Sequence, residues 1–316
     1  MPKSRALIVM LALAGTLFLG VLVVSPLIHL NLFFLQRSFL FGLIFWITVA
    51  VGVNIIYGYT GYLPFGYVAF FGVGAYVSAA LWSRLGIPIV LAILLGGLGG
   101  VLLALIFAPT LRLRGIYFST VNFACAMTLK VLAPNIPAKV AGGVFGISLS
   151  GIYNPLVSYY LALLLMLGAI LTVWQLSRSK LGVALKCIRD DPEAAEVMGI
   201  NVAKCRLQAW LLAALFPSLA GGLNAWYTAV IDPPTAFNLL ITVKAIIYAM
   251  FGGLGMVFGP IVGATVLYVI DEVIWIRFPF WNLFILGLVL VLLVLFLPKG
   301  LLGTLAARYP QWRVSL

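Results

Sequence analysis

Residues 88–108 read Pro88-Ile-Val-Leu-Ala-Ile-Leu-Leu-Gly-Gly-Leu-Gly-Gly-Val-Leu-Leu-Ala-Leu-Ile-Phe-Ala108, with no charge and no hydrogen-bonding side chain. A helix needs about 20 apolar residues to cross the hydrocarbon core of a bilayer, and it satisfies its own backbone groups there. This stretch reads as a membrane span. Working outward from it, similar runs occupy 6–28, 39–57, 67–82, 116–132, 157–176, 207–230, 239–251, 261–270 and 281–297. Composition agrees. Of 316 residues, 64% are hydrophobic and 8% charged, against about 25% charged in soluble domains, and the mean hydropathy is +1.21. A large soluble enzyme, a nucleic-acid binder and a disordered scaffold are excluded. The expected fold is an all-α polytopic membrane protein of about 8–10 transmembrane helices, some broken or re-entrant, as a single domain over residues 1–316.

The net charge of +12 fits the same picture without a nucleic-acid partner. Basic residues gather in short stretches between apolar runs, as the positive-inside rule requires. With the run at 6–28 kept as a first span, both termini face the cytoplasm. Lys3, Arg5, Arg112, Arg114, six residues in 178–206, and Lys299, Arg308 and Arg313 then lie inside, 13 of the 19. Cys125, Cys187 and Cys205 show no metal-binding spacing, and His29 is the only histidine, so neither a metal site nor a Ser/His/Asp triad is expected. Trp82, Tyr159, Trp275 and Trp281 lie near span ends and read as interfacial anchors.

One hydrophilic hairpin interrupts the apolar pattern. Residues 178–206, RSKLGVALKCIRDDPEAAEVMGINVAKCR, hold four of the chain's seven carboxylates. Asp190 and Asp191 before Pro192, Glu193 in the first turn and Gly199 at the end are helix start and stop signals. About seven residues are marginal as an isolated helix, which suits an element lying in a partner's cleft. Arg189, Asp190, Asp191, Glu193, Ala194, Ala195, Glu196 and Gly199 are the candidate coupling residues, with Ala195 and Gly199 expected on one docking face. The chain has no GxxxxGK[ST] loop, so energy must come from elsewhere. Asp232, Asp271, Glu272 and His29 all fall near expected outer ends of spans, which gives proton coupling little support. Sodium coupling through backbone carbonyls stays open as a second reading. A membrane-embedded enzyme is disfavoured, since no acid–base pair sits at a suitable depth.

Two glycine-rich turns, 58–66 and 252–260, break the apolar pattern in the two halves of the chain. Irregular backbone at membrane depth needs protein cover or a cavity, and paired breaks mark transport paths. Asn54, Thr60, Gly61, Gly66, Asn122, Gly252 and Gly255 are the candidate pathway residues; close helix packing is the alternative role for the glycines, and interhelical hydrogen bonding for the polar side chains.

Several segments together resemble the permease subunit of branched-chain amino acid ABC transporters, the LivM type. They are Tyr57-Gly-Tyr-Thr-Gly61-Tyr-Leu-Pro-Phe-Gly66-Tyr-Val-Ala-Phe-Phe-Gly72-Val-Gly74-Ala-Tyr, Leu111-Arg-Leu-Arg-Gly115-Ile-Tyr-Phe, the coupling segment from Ala184 to Val202, Gly252-Gly-Leu-Gly255-Met-Val-Phe-Gly259-Pro260, and Phe296-Leu-Pro-Lys-Gly-Leu-Leu-Gly303. The resemblance implies a multi-pass protein of the cell inner membrane, in contact with membrane lipid, that carries branched-chain amino acids or similar small polar solutes. It implies a homologous second permease (LivH type), two cytoplasmic ATPase subunits and an external substrate-binding protein. No cofactor belongs to this chain; ATP and Mg belong to the ATPase subunits. Pro64, Tyr67 and Gly143-Val-Phe-Gly146 depart from the family pattern, which leaves a urea or short-amide permease as an alternative.

Overall fold

The computed structural model describes residues 36–277 and 300–308, with positions 20, 22 and 23 and a few between 280 and 292. The expected segments 6–28 and 281–297 lie for the most part outside the described residues. Within the described residues, eight helices are long and apolar enough to cross a membrane, and each overlaps one of the other expected segments. The chain is an all-α polytopic membrane protein. Helix α1 (Arg37–Val53) runs on through a π-helical turn, Asn54–Gly58; α2 (Val68–Leu85), α3 (Ile89–Phe107), α4 (Ile116–Leu132) and α5 (Pro155–Arg178) follow. The hairpin holds α6 (Lys180–Asp190) and α7 (Pro192–Val197), and leads into α8 (Val202–Thr228), α9 (Leu239–Gly252), α10 (Gly259–Arg277) and α11 (Gly300–Arg308). One short antiparallel pair, β1 (Ile147–Ser148) with β2 (Val230–Ile231), joins the α4–α5 connection to the end of α8. It lies at the end of the bundle opposite the hairpin.

Helix α1 is central and buried along almost its whole length. Small residues bring α2, α3 and α8 into backbone contact: a Cβ at Gly74 would overlap the Ser218 carbonyl, and one at Gly221 the Phe71 carbonyl. Lipid offers no hydrophobic drive between helices, so such close van der Waals packing carries the association. Pro217 sits inside α8 and has no N–H for the carbonyl of Ala213. The Tyr67 hydroxyl, fully buried, donates to that carbonyl at 2.9 Å instead. Tyr67 is thereby explained by helix packing.

The expected short segment 239–251 is observed as α9, which starts from an Asn238 cap after a separate short helix, Pro233–Ala236, capped by Asp232. Three expectations need correction. The segment expected at 261–270 extends to Gly259–Arg277, 19 residues. Asp271 therefore lies within α10 rather than at a span end. It is buried because Lys244 of α9 neutralises it, with Nζ 2.5 Å from Oδ2. Tyr159 is a core residue, not an interfacial anchor, and its hydroxyl donates to the Leu22 carbonyl at 2.7 Å.

Candidate functional site

The hairpin is built from consecutive caps. Ser179 accepts from Gly182 N (3.0 Å) and starts α6, whose Gly182, Leu185 and Ile188 face the bundle. Asp190 ends α6, so Asp191 alone caps α7, accepting from the amides of Glu193 (2.9 Å) and Ala194 (3.1 Å). At the far end Gly199 takes φ +84°. Its N–H bonds the Glu196 carbonyl, and Ile200 N–H bonds that of Ala195. This pair of bonds closes a helix only where a left-handed residue follows the last turn, hence glycine. Asn201 then caps α8 through Lys204 N.

This geometry revises the expected docking face. Ala195 points inward and is only 2% exposed, so it cannot share an outer face with Gly199. The outward residues are Glu193, Ala194, Glu196, Val197, Met198 and Gly199. Val197 is 90% exposed and Met198 79%. Sequence reasoning passed over both, although two apolar residues directly before a capping glycine, in an otherwise charged hairpin, were a usable signal. Glu193 also reaches Arg114, at 2.9 Å, across the connection between α3 and α4. That hydrogen bond, and then the carboxylate's charge, hold the Arg114 guanidinium above its ordinary pKa. Beside them the Arg206 guanidinium stacks over Tyr62 at 4.7 Å. Burial pushes the Tyr62 phenol up, opposed by the charges of Arg206 and Arg114.

The two glycine-rich breaks meet at this same end. Asn54, fully buried in the π-turn, donates from Nδ2 to the Met256 carbonyl (2.9 Å) and accepts at Oδ1 from Gly255 N (2.8 Å). A Cβ on Gly58 would collide with Asn54 and with the Gly255 nitrogen. Arg189 of α6 completes the junction, donating from Nη1 to the Gly58 carbonyl at 2.5 Å. Its guanidinium also lies against Gly255, and its stem against Gly61. Both glycines hold positive φ, +78° and +76°. One coupling candidate and three pathway candidates thus form a single cluster, through which the hairpin touches the broken ends of α1 and α9.

The remaining pathway candidates lie outside this junction. Thr60 bonds back to the Ile56 carbonyl at 2.5 Å. Gly66 packs on the backbone of Asn122, whose Nδ2 donates to Thr110 Oγ1 at 3.1 Å while its buried Oδ1 has no partner among the described residues. Gly252 lies against Gly259 and Gly263 and lets α9 and α10 cross in contact. Among the described residues no group of His, Cys, Asp or Glu is placed to hold a metal ion.

A family model described as branched-chain amino acid transport system / permease component matches residues 35–294. The chain belongs to this family. The permease protein LivM of the high-affinity branched-chain amino acid transport system of Salmonella typhimurium is 28% identical over 292 residues, covering 81% of this chain and 67% of the relative. Its Escherichia coli counterpart is 27% identical over the same coverage. A probable branched-chain amino acid transport permease protein LivH of Methanocaldococcus jannaschii is 26% identical over 247 residues, 72% of this chain and 76% of that one. No solved structure matches the chain at a significant level. The chain is a multi-pass permease subunit, and the junction of its two breaks lies within the matched region.

Proposed function

We propose that this permease subunit works in an ATP-driven importer of branched-chain amino acids or similar small polar solutes in the inner membrane. In this reading both termini are cytoplasmic, and the hairpin 178–206 is the coupling element. A LivH-type second permease stands beside the chain, two cytoplasmic ATPase subunits bind ATP and Mg, and an external binding protein delivers substrate. The observation that carries the reading is the junction of Arg189 with Gly58 and Gly255. A push on the exposed tip of α7 reaches Arg189 through α6, and Arg189 is bonded to the turn in which α1 breaks. Asn54 links that turn to the break after α9, so both breaks respond together. Two packed arrangements of such a junction, one for each ATPase state, give the alternation that import requires. The Gly58 carbonyl already accepts from a fixed cation, which argues against a sodium site at this break. At the opposite end Val144 and Phe145 are 68% and 94% exposed, an apolar surface suited to the binding protein.

Co-purification in mild detergent tests the reading. The tagged chain should retain a second permease and an ATPase. Met198→Asp, at an exposed position, should shed the ATPase and keep the permease. Isolation of the parent chain without an ATPase contradicts the reading.

A further inference from the structure

Beyond the junction, the described spans contain one buried ion pair, Lys244 with Asp271. The Tyr248 hydroxyl lies 3.4 Å from the same carboxylate oxygen. Trp46 of α1 forms a wall beside them, its ring centroid 5.7 Å from Lys244 Nζ and 5.4 Å from the Tyr248 ring. Lys244 precedes Gly252 by eight residues and Asp271 follows Gly259 by twelve. The charges therefore stand about 12 and 18 Å along the helices from the broken turn, near the middle of a core about 30 Å thick.

The pair is not needed to hold α9 against α10. Gly252 and Gly263 already bring the two backbones into contact, since a Cβ at either would overlap the facing helix. A buried ion pair costs desolvation that two apolar side chains avoid, and charges at this depth mark substrate paths. Nor is it sealed, for the two side chains keep 17% and 10% of their surface exposed.

We propose that Lys244 and Asp271 form a binding site for the zwitterionic head of an α-amino acid in transit. The substrate carboxylate replaces Asp271 on the Lys244 ammonium, and the substrate ammonium replaces Lys244 on the Asp271 carboxylate. Every charge keeps an opposite partner throughout, so no bare ion is left at membrane depth. Trp46 offers its face to the incoming ammonium, and Tyr248 supplies a hydroxyl donor. Urea and neutral amides bring neither charge and cannot make the exchange. This inference rests on the importer reading and narrows its substrate class.

The test uses the assembly that co-purifies with the tagged chain, reconstituted in proteoliposomes with ATP inside and binding protein outside. The probes are leucine, urea and acetamide. Two double variants are compared with the parent, each changing both members of the pair: Lys244→Met with Asp271→Leu, and the exchanged pair Lys244→Asp with Asp271→Lys. Both should assemble with the same polypeptides, and leucine uptake should fall at least about tenfold in each, the loss expected when a charged contact to a ligand is removed or reversed. Uptake at the parent level in the apolar variant, or recovery in the exchanged one, overturns the proposal and leaves the pair as a tie between helices. A parent assembly that moves urea or acetamide but not leucine overturns the branched-chain reading beneath it as well.

Discussion

Tyr67→Phe deletes a single hydroxyl, and the structure fixes what should follow. Tyr67 and Ala213 are both fully buried, and Pro217 has no N–H to give the Ala213 carbonyl. Without the hydroxyl that carbonyl has no donor and no access to water. A buried group left unsatisfied costs about 1–3 kcal/mol, and the phenylalanine ring fills the same space, so no cavity adds to the loss. The same substitution in a Pro217→Ala background should cost well under about 1 kcal/mol, because an alanine N–H at 217 returns to the Ala213 carbonyl. The two sites should therefore couple by about 1–2 kcal/mol in a double-mutant cycle. Unfolding midpoints for the four proteins, titrated with dodecyl sulfate in mixed micelles, measure this directly. Equal costs in both backgrounds would refute the account of Tyr67, and so would no cost in the parent.

Arg189→Met keeps the stem beside Gly61 but removes the bond to the Gly58 carbonyl; uptake should fall at least about tenfold while ATP hydrolysis and ATPase co-purification persist. Glu193→Gln should be mild, because the pair with Arg114 is exposed on both sides and screened by salt; ATPase retention should match the parent in high salt. Met198→Cys, introduced at the 79% exposed tip, should react with an impermeant maleimide in inside-out vesicles stripped of the ATPase and not in intact cells. It is a sharper reporter of sidedness than the half-buried Cys187 and Cys205.

The spans were legible because a bilayer requires long apolar runs, and stretches such as 88–108 admit no other reading. Local chemistry also carried the short helix at 192–197, since Asp191, Pro192 and Gly199 act through bonds to near neighbours. What sequence hid depends on partners far along the chain. Asp271 reads as a span end until Lys244, 27 residues earlier, neutralises it. Ala195 reads as an outer residue because one and a half helical turns cannot reveal which side meets the bundle. Arg189 and Asn54 stood in different candidate groups, and only the close approach of Gly58 to Gly255 unites them. Tyr67 stood out as a departure from the family pattern; its reason lies 150 residues away, in Pro217.

Leucine uptake into proteoliposomes tests the central claim most directly, with the purified assembly on one side of the comparison and the chain alone on the other. Energising conditions are ATP in the lumen, or a sodium gradient without ATP. The account predicts accumulation only with the assembly and ATP, and none from the chain alone under either condition. Accumulation by the chain alone on a sodium gradient would contradict it.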